Sequence, residues 1–220
     1  MKMNPRSSFL LFILSLLVTA SCNKSDDQPL SPVNTLSEQL KAKCDSVVNN
    51  TFVPGMVVGV WDKSSGVELV HATGVAEVFS QLPMNGTMLF RIGSNTKTFT
   101  NTVMLQLVDE GLLGTEDILS TYVPGFPRSD EVTMRMLGNM RSGIHSYTDA
   151  VEFYEEWLNN PFRVWTTDEL LDISAGYPYL FDPGTAFNYS NSNTVMIGKV
   201  IELITGRTLG EEIRDRIIIP

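Results

Sequence analysis

At Gly93 the apolar pattern changes period, and that change limits the class of fold open to the chain. Upstream, Met56-Val-Val-Gly-Val-Trp61 and the run from Val67 to Ala72 flank the turn-forming Asp62-Lys-Ser-Ser-Gly66. Together they predict a β-hairpin, with Met88 to Ile92 as a third short strand. Downstream, Phe99, Val103 and Leu107 recur every four residues with Met104 and Val108 beside them, and Gly111 is placed to close a helix. A strongly apolar helix is expected over Thr194–Thr205, stopped by Gly206, and Thr208-x-x-Glu211 caps a last one. Ahead of the strands, Thr35 and Glu38 form the same kind of capping box for a helix over Leu36–Val48. Strands followed by helices, without βαβ alternation or an internal repeat, predict an α+β fold.

The chain has 220 residues, 43% of them hydrophobic and 19% charged, enough to bury a core. Sixteen Lys and Arg stand against 25 Asp and Glu, a net charge of −9, and no basic run interrupts that balance. Nucleic acid is therefore not an expected partner. Cys22, Cys44, His71 and His145 have no metal-ligand spacing, so neither a metal nor another cofactor is expected. Cys44 sits at helical spacing with Leu36, Leu40 and Val47 and reads as a buried thiol. Trp157, Trp165 and the tyrosines of the Pro- and Gly-rich stretch from 115 to 187 read as core.

The N-terminus reads as an address. Lys2 and Arg6 precede an uninterrupted apolar run, Phe9 to Ala20, too short to span a bilayer but suited to a secretory signal peptide over residues 1–21. Thr19, Ala20 and Ser21 before Cys22 resemble a bacterial lipobox, in which Cys22 is lipidated and becomes the mature N-terminus. Residues 22–34 then form a polar, Pro-containing tether ahead of a folded domain over residues 35–220. The protein is expected to be exported to the cell envelope and held at a membrane by its lipid.

Two short motifs carry chemistry. In a helix that starts at Ser94-Asn-Thr-Lys97, residues three apart are neighbours, so the Lys97 amine reaches the Ser94 hydroxyl. The helix N-terminus favours negative charge on that oxygen, which suits a serine nucleophile. The motif alone is weak, since Ser21-Cys-Asn-Lys24 matches it as well. Tyr189-Ser-Asn191, on a turn before a buried helix, would bring a phenol and an amide into one cleft, as proton shuttle and carbonyl contact. A Ser142–His145 hydrolase is the competing arrangement, but no G-x-S-x-G elbow accompanies it. His71 reads as a sheet-face residue.

Phe90-Arg-Ile-Gly-Ser-Asn-Thr-Lys-Thr-Phe99, Leu105 to Leu113, Tyr122-Val-Pro-Gly125, Met140-Arg-Ser-Gly143, Pro183-Gly184, Tyr189-Ser-Asn191 and Ile204-Thr-Gly206 resemble, in order, the serine β-lactamase-related family. That family includes class C β-lactamases, D-alanyl-D-alanine carboxypeptidases and esterases. The resemblance implies a β-lactamase/DD-peptidase-like fold, an antiparallel sheet flanked by helices plus a mostly helical subdomain. It implies Ser94 as acylated nucleophile, Lys97 as its activator, Tyr189 as proton relay and Asn191 as substrate-amide or lysine contact. The Ser94 N–H would serve as an oxyanion donor. Small peptides, β-lactams or esters would be the substrates. Many relatives carry His where Met140 stands. The family's third motif, Lys or His, then Thr or Ser, then Gly, is not found after Asn191. The resemblance thus implies a C-terminally truncated domain lacking sheet strands, with impaired activity. The alternative is an inactive fragment or a lipid-tethered binding module.

Overall fold

In the computed structural model, which describes residues 32–220, the first helix, α1 (Pro32–Asn50), starts ahead of the expected capping box. Proline tolerates the first helical turn, where its missing N–H would have no partner anyway, so Thr35 falls inside the helix rather than at its cap. The last residues of the expected tether are accordingly helical. Cys22 and the signal segment lie outside the described residues.

The described residues fall into two compact units, one ending at Phe90 and the other running Arg91–Pro220. In the first, β1 (Gly55–Asp62) and β2 (Val67–Glu77) form the expected hairpin, with Val58 opposite His71 and Asp62 opposite Val67. Its turn is fastened by the Asp62 carboxylate, which accepts from the Ser64 N–H at 2.9 Å and from both serine hydroxyls at 2.7 Å. Those donors lower the Asp62 pKa to about 2. Gly74 takes φ +76°, and a Cβ there would lie 2.3 Å from the Pro54 carbonyl.

The third strand is β3 (Leu82–Pro83), which completes the order β1-β2-β3. Met88 to Ile92, expected as a strand, has no ladder partner among the described residues, and Leu89 is 99% exposed. A short apolar run forms a strand only where an edge receives it. α1 packs on β2, and His71 reaches across to Asp45 at 2.8 Å. Cys44 is half-buried, and Leu36 and Val47 are exposed, contrary to the expected closed core.

The second unit is helical: α2 (Thr96–Asp109), α3 (Met134–Gly138), α4 (Val151–Asn159), α5 (Thr167–Ala175), α6 (Asn191–Thr205) and α7 (Leu209–Ile213). α6 is apolar on most sides and packs against α2, α3, α5 and α7, as a helix of that pattern must. Val103 and Leu107 of α2, Leu137 of α3, and Met196, Ile197, Val200 and Ile201 of α6 are sealed from solvent. α2 ends as its glycine predicts: Gly111 is left-handed, its N–H donates to Val108, and Leu112 N–H donates to Leu107. That is the Schellman pattern. The Thr208–Glu211 capping box is present, and Thr166 with Glu169 forms another on α5. Trp157 and Tyr154 on α4 are about half exposed and Trp165 is half-buried, so the aromatics expected in the core lie on its margin.

Leu107 fills the heart of this core. Leu107→Ala is expected to lower unfolding free energy by about 2–5 kcal/mol, read as a reduced urea midpoint in equilibrium denaturation of the full chain.

Candidate active site

The local turn that presents the serine depends on Gly93. At φ +54° it lets the chain leave the segment before it and enter a 3-10 turn, Gly93–Asn95, that runs straight into α2. Ser94 lies in that turn and Lys97 in the first turn of the helix. The Asn95 N–H donates to the Ile92 carbonyl and the Thr96 N–H to the Gly93 carbonyl, and the start of the helix places the positive end of its dipole where Ser94 stands.

All four residues singled out from the two motifs meet here. The Ser94 hydroxyl and the Tyr189 phenol share a hydrogen bond of 2.7 Å. The Lys97 ammonium donates to the Asn191 amide oxygen at 2.6 Å and, less closely, to Ser94 Oγ at 3.3 Å. It also stands 4.8 Å from the centre of the Tyr189 ring. Ser94 and Tyr189 are exposed, whereas Lys97 and Asn191 are half-buried, so the reactive oxygens face solvent above a more enclosed cation. The cation, followed by the Ser94 hydroxyl, lowers the Tyr189 pKa from its usual value. Both favour the phenolate.

Two antiparallel loop segments place Tyr189. The carbonyls of Gly143, Arg141 and Met140 accept in turn from the N–H groups of Leu180, Gly184 and Asn188, at 2.9, 2.8 and 3.0 Å. Close approach is possible because residue 143 is glycine: a Cβ would stand 2.3 Å from the Phe181 carbonyl. Asn191 opens α6, and its amide is held by residues that the motifs did not single out. Its side-chain Nδ2 donates to Thr148 Oγ1 at 2.9 Å, and its backbone N–H donates to Ser146 Oγ at 3.1 Å. Ser192 accepts from the Tyr147 N–H at 2.9 Å. The one sequence signal for this support is the hydroxyl-rich run Ser146-Tyr-Thr148 close after the Met140-Arg-Ser-Gly143 turn.

The competing Ser142–His145 pair has no such geometry. Ser142 is sealed from solvent and donates to Asn193 Oδ1 at 2.6 Å. The His145 ring stacks on Tyr177, with centroids 4.3 Å apart. His71 lies in the first unit, bonded to Asp45. Cys22 lies outside the described residues.

Comparison with known proteins bears on the family and the fold. Residues 40–220 match the family model described as Beta-lactamase. A penicillin-binding protein of Bacillus subtilis (strain 168) is 30% identical over 152 residues, covering 68% of this chain and 33% of its own length. A D-stereospecific amidohydrolase from Streptomyces sp. superposes with a TM-score of 0.71 at 31% identity, covering 83% of this chain and 54% of that one. The D-amino acid amidase from Ochrobactrum anthropi SV3, complexed with D-phenylalanine, gives a TM-score of 0.75 at 26% identity over 84% of this chain and 50% of its own. The chain thus spans about a third of the Bacillus protein's length and about half of each solved structure. These neighbours share the β-lactamase/DD-peptidase-like α+β fold, which this chain adopts.

The position of Lys97 gives a pH prediction. The ultraviolet difference between the intact chain and Tyr189→Phe should report a phenol titrating below the ordinary value of about 10. Because the cation favours the phenolate, Lys97→Ala should move that midpoint upward. An unchanged midpoint would show that Lys97 does not govern the phenol.

Proposed function

The chain belongs to the beta-lactamase family, and on that footing we propose that it is a serine hydrolase acting through an acyl-enzyme on Ser94. The observation that carries this reading is the single hydrogen-bonded set Tyr189–Ser94–Lys97–Asn191 at the start of α2. Ser94 Oγ attacks the carbonyl carbon of an amide or ester while its proton passes to the Tyr189 oxygen, 2.7 Å away. Lys97 stabilises the phenolate that accepts the proton, and Asn191 holds Lys97. The carbonyl becomes an oxyanion, for which the Ser94 N–H is the proposed donor. As the tetrahedral adduct collapses, the carbon–leaving-group bond breaks and the leaving nitrogen or oxygen takes the proton from Tyr189. Water then attacks the Ser94 ester, gives a proton back through Tyr189, and releases the acid and the free serine hydroxyl.

The substrate class we propose is a small amide or ester, such as a D-amino-acid amide, a short peptide or a β-lactam. It is supported by neighbours that include a D-amino acid amidase bound to D-phenylalanine and a penicillin-binding protein. Export and lipid attachment at Cys22 belong to the same proposal and rest on the charged, apolar and small-residue order of the first 22 residues.

A fluorescent penicillin should add its mass covalently to the full chain, and Ser94→Ala should abolish that addition in intact-mass measurement. Labelling that persists in Ser94→Ala would remove Ser94 as the nucleophile. In a bacterial host, the wild-type chain should incorporate radiolabelled palmitate and partition into detergent, whereas Cys22→Ala should do neither. Equal incorporation in the two would reject the anchor.

A further inference from the structure

The amide of Asn191 has two ends of nearly the same shape and opposite hydrogen-bonding sense. Only one orientation suits its position. With Oδ1 toward Lys97 it accepts from the ammonium at 2.6 Å; turned over, two N–H donors would face a third. The Lys97 contact alone leaves Nδ2 without an acceptor, so something on the other side must receive it.

We propose that Thr148 is a positioning residue that fixes the Asn191 amide in the orientation Lys97 needs. Its hydroxyl oxygen accepts from Asn191 Nδ2 at 2.9 Å. The same hydroxyl has places to send its own proton: Ser146 Oγ lies at 2.9 Å and the Asp149 carboxylate at 3.4 Å. Its lone pairs are thereby left for the amide. Ser146 in turn accepts from the Asn191 backbone N–H at 3.1 Å, so the side chain and the main chain of Asn191 are held by one short segment.

That segment is itself fixed. The Tyr147 N–H donates to Ser192 Oγ at 2.9 Å, and Ser192 donates to the His145 carbonyl at 2.9 Å. The Asp149 N–H returns to the Ser146 carbonyl at 2.9 Å. Thr148 therefore acts through Asn191 on Lys97, and through Lys97 on Ser94 and Tyr189. Its own hydrogen bonds go to Asn191, Ser146 and Asp149.

This inference rests on the reading of Ser94 as the acylated residue, and two measurements keep the two ideas separable. Thr148→Val keeps the shape and removes the acceptor. It should slow acylation by a fluorescent penicillin about tenfold, a loss of about 1.4 kcal/mol in the barrier difference. Thr148→Ser should restore the rate. In an Asn191→Ala background Thr148→Val should cost nothing further, because the residue through which it acts is gone. Equal rates in wild type and Thr148→Val, or a full additional loss in the Asn191→Ala background, would overturn the proposal. The second measurement needs no activity. The Asn191 side-chain amide signal, identified in nitrogen-15 spectra by its loss in Asn191→Ala, should exchange its protons faster in Thr148→Val than in wild type or Thr148→Ser. Unchanged exchange would overturn the positioning role even if no chain were acylated, and failure of wild-type acylation with altered exchange would count against Ser94 alone. Circular dichroism of each variant confirms that its fold is retained.

Discussion

The 2.6 Å hydrogen bond from Lys97 to Asn191 ties the first turn of α2 to the first turn of α6, and the chemistry of the site depends on that tie. Neither Asn95 nor Ser190 supplies a capping side-chain hydrogen bond. What brings the two ends together is the apolar packing further along, where Val103 and Leu107 lie in one closed core with Met196, Ile197, Val200 and Ile201. Burial of that core sets the crossing of the helices, and the polar residues that open them are left to meet above it.

Two helix starts and a lysine in one place concentrate positive potential, and negative charge is what relieves it. Among the described residues no carboxylate forms an ion pair with Lys97; its partners are an amide oxygen, a hydroxyl and the face of a phenol ring. A carboxylate in that position would neutralise the lysine permanently. Neutral partners leave its charge available to the Tyr189 oxygen and, in the proposed reaction, to the attacked carbonyl. The Tyr189 pKa is lowered by Lys97 and, after it, by the Ser94 hydroxyl.

Local periodicity made the helical frame and the hairpin legible. The four-residue spacing of Phe99, Val103 and Leu107, the stop at Gly206 and the Thr208–Glu211 box all describe interactions made within a few residues of one another. Met88–Ile92 failed as a strand because strand formation requires an edge elsewhere in the chain, which its composition cannot report. Cys44 and the α4 aromatics failed for a related reason, since spacing marks a face but not what covers it. Within the site, Ser94, Lys97, Tyr189 and Asn191 stood out as motifs, while Ser146 and Thr148 did not. A hydroxyl that orients an amide across 43 residues leaves no spacing to detect.

Met140 stands where the resemblance implies His in many relatives, and its contacts show what that position holds in place. Its φ of +62° is left-handed, a conformation that costs a non-glycine residue on the order of 1–3 kcal/mol. Three ties hold it there. Its side chain is buried, its carbonyl accepts the Asn188 N–H next to Tyr189, and its sulfur receives Asn193 Nδ2 at 3.4 Å. The Asn193 amide spans the same turn, since its oxygen takes the Ser142 hydroxyl. What the position supplies is therefore a backbone carbonyl aimed at the Tyr189 segment and a buried weak acceptor for Asn193. Met140 supplies the first from its main chain and the second from its thioether. The strain at residue 140 is held by the contacts that place the phenol, so the turn and Tyr189 are fixed as one piece of structure.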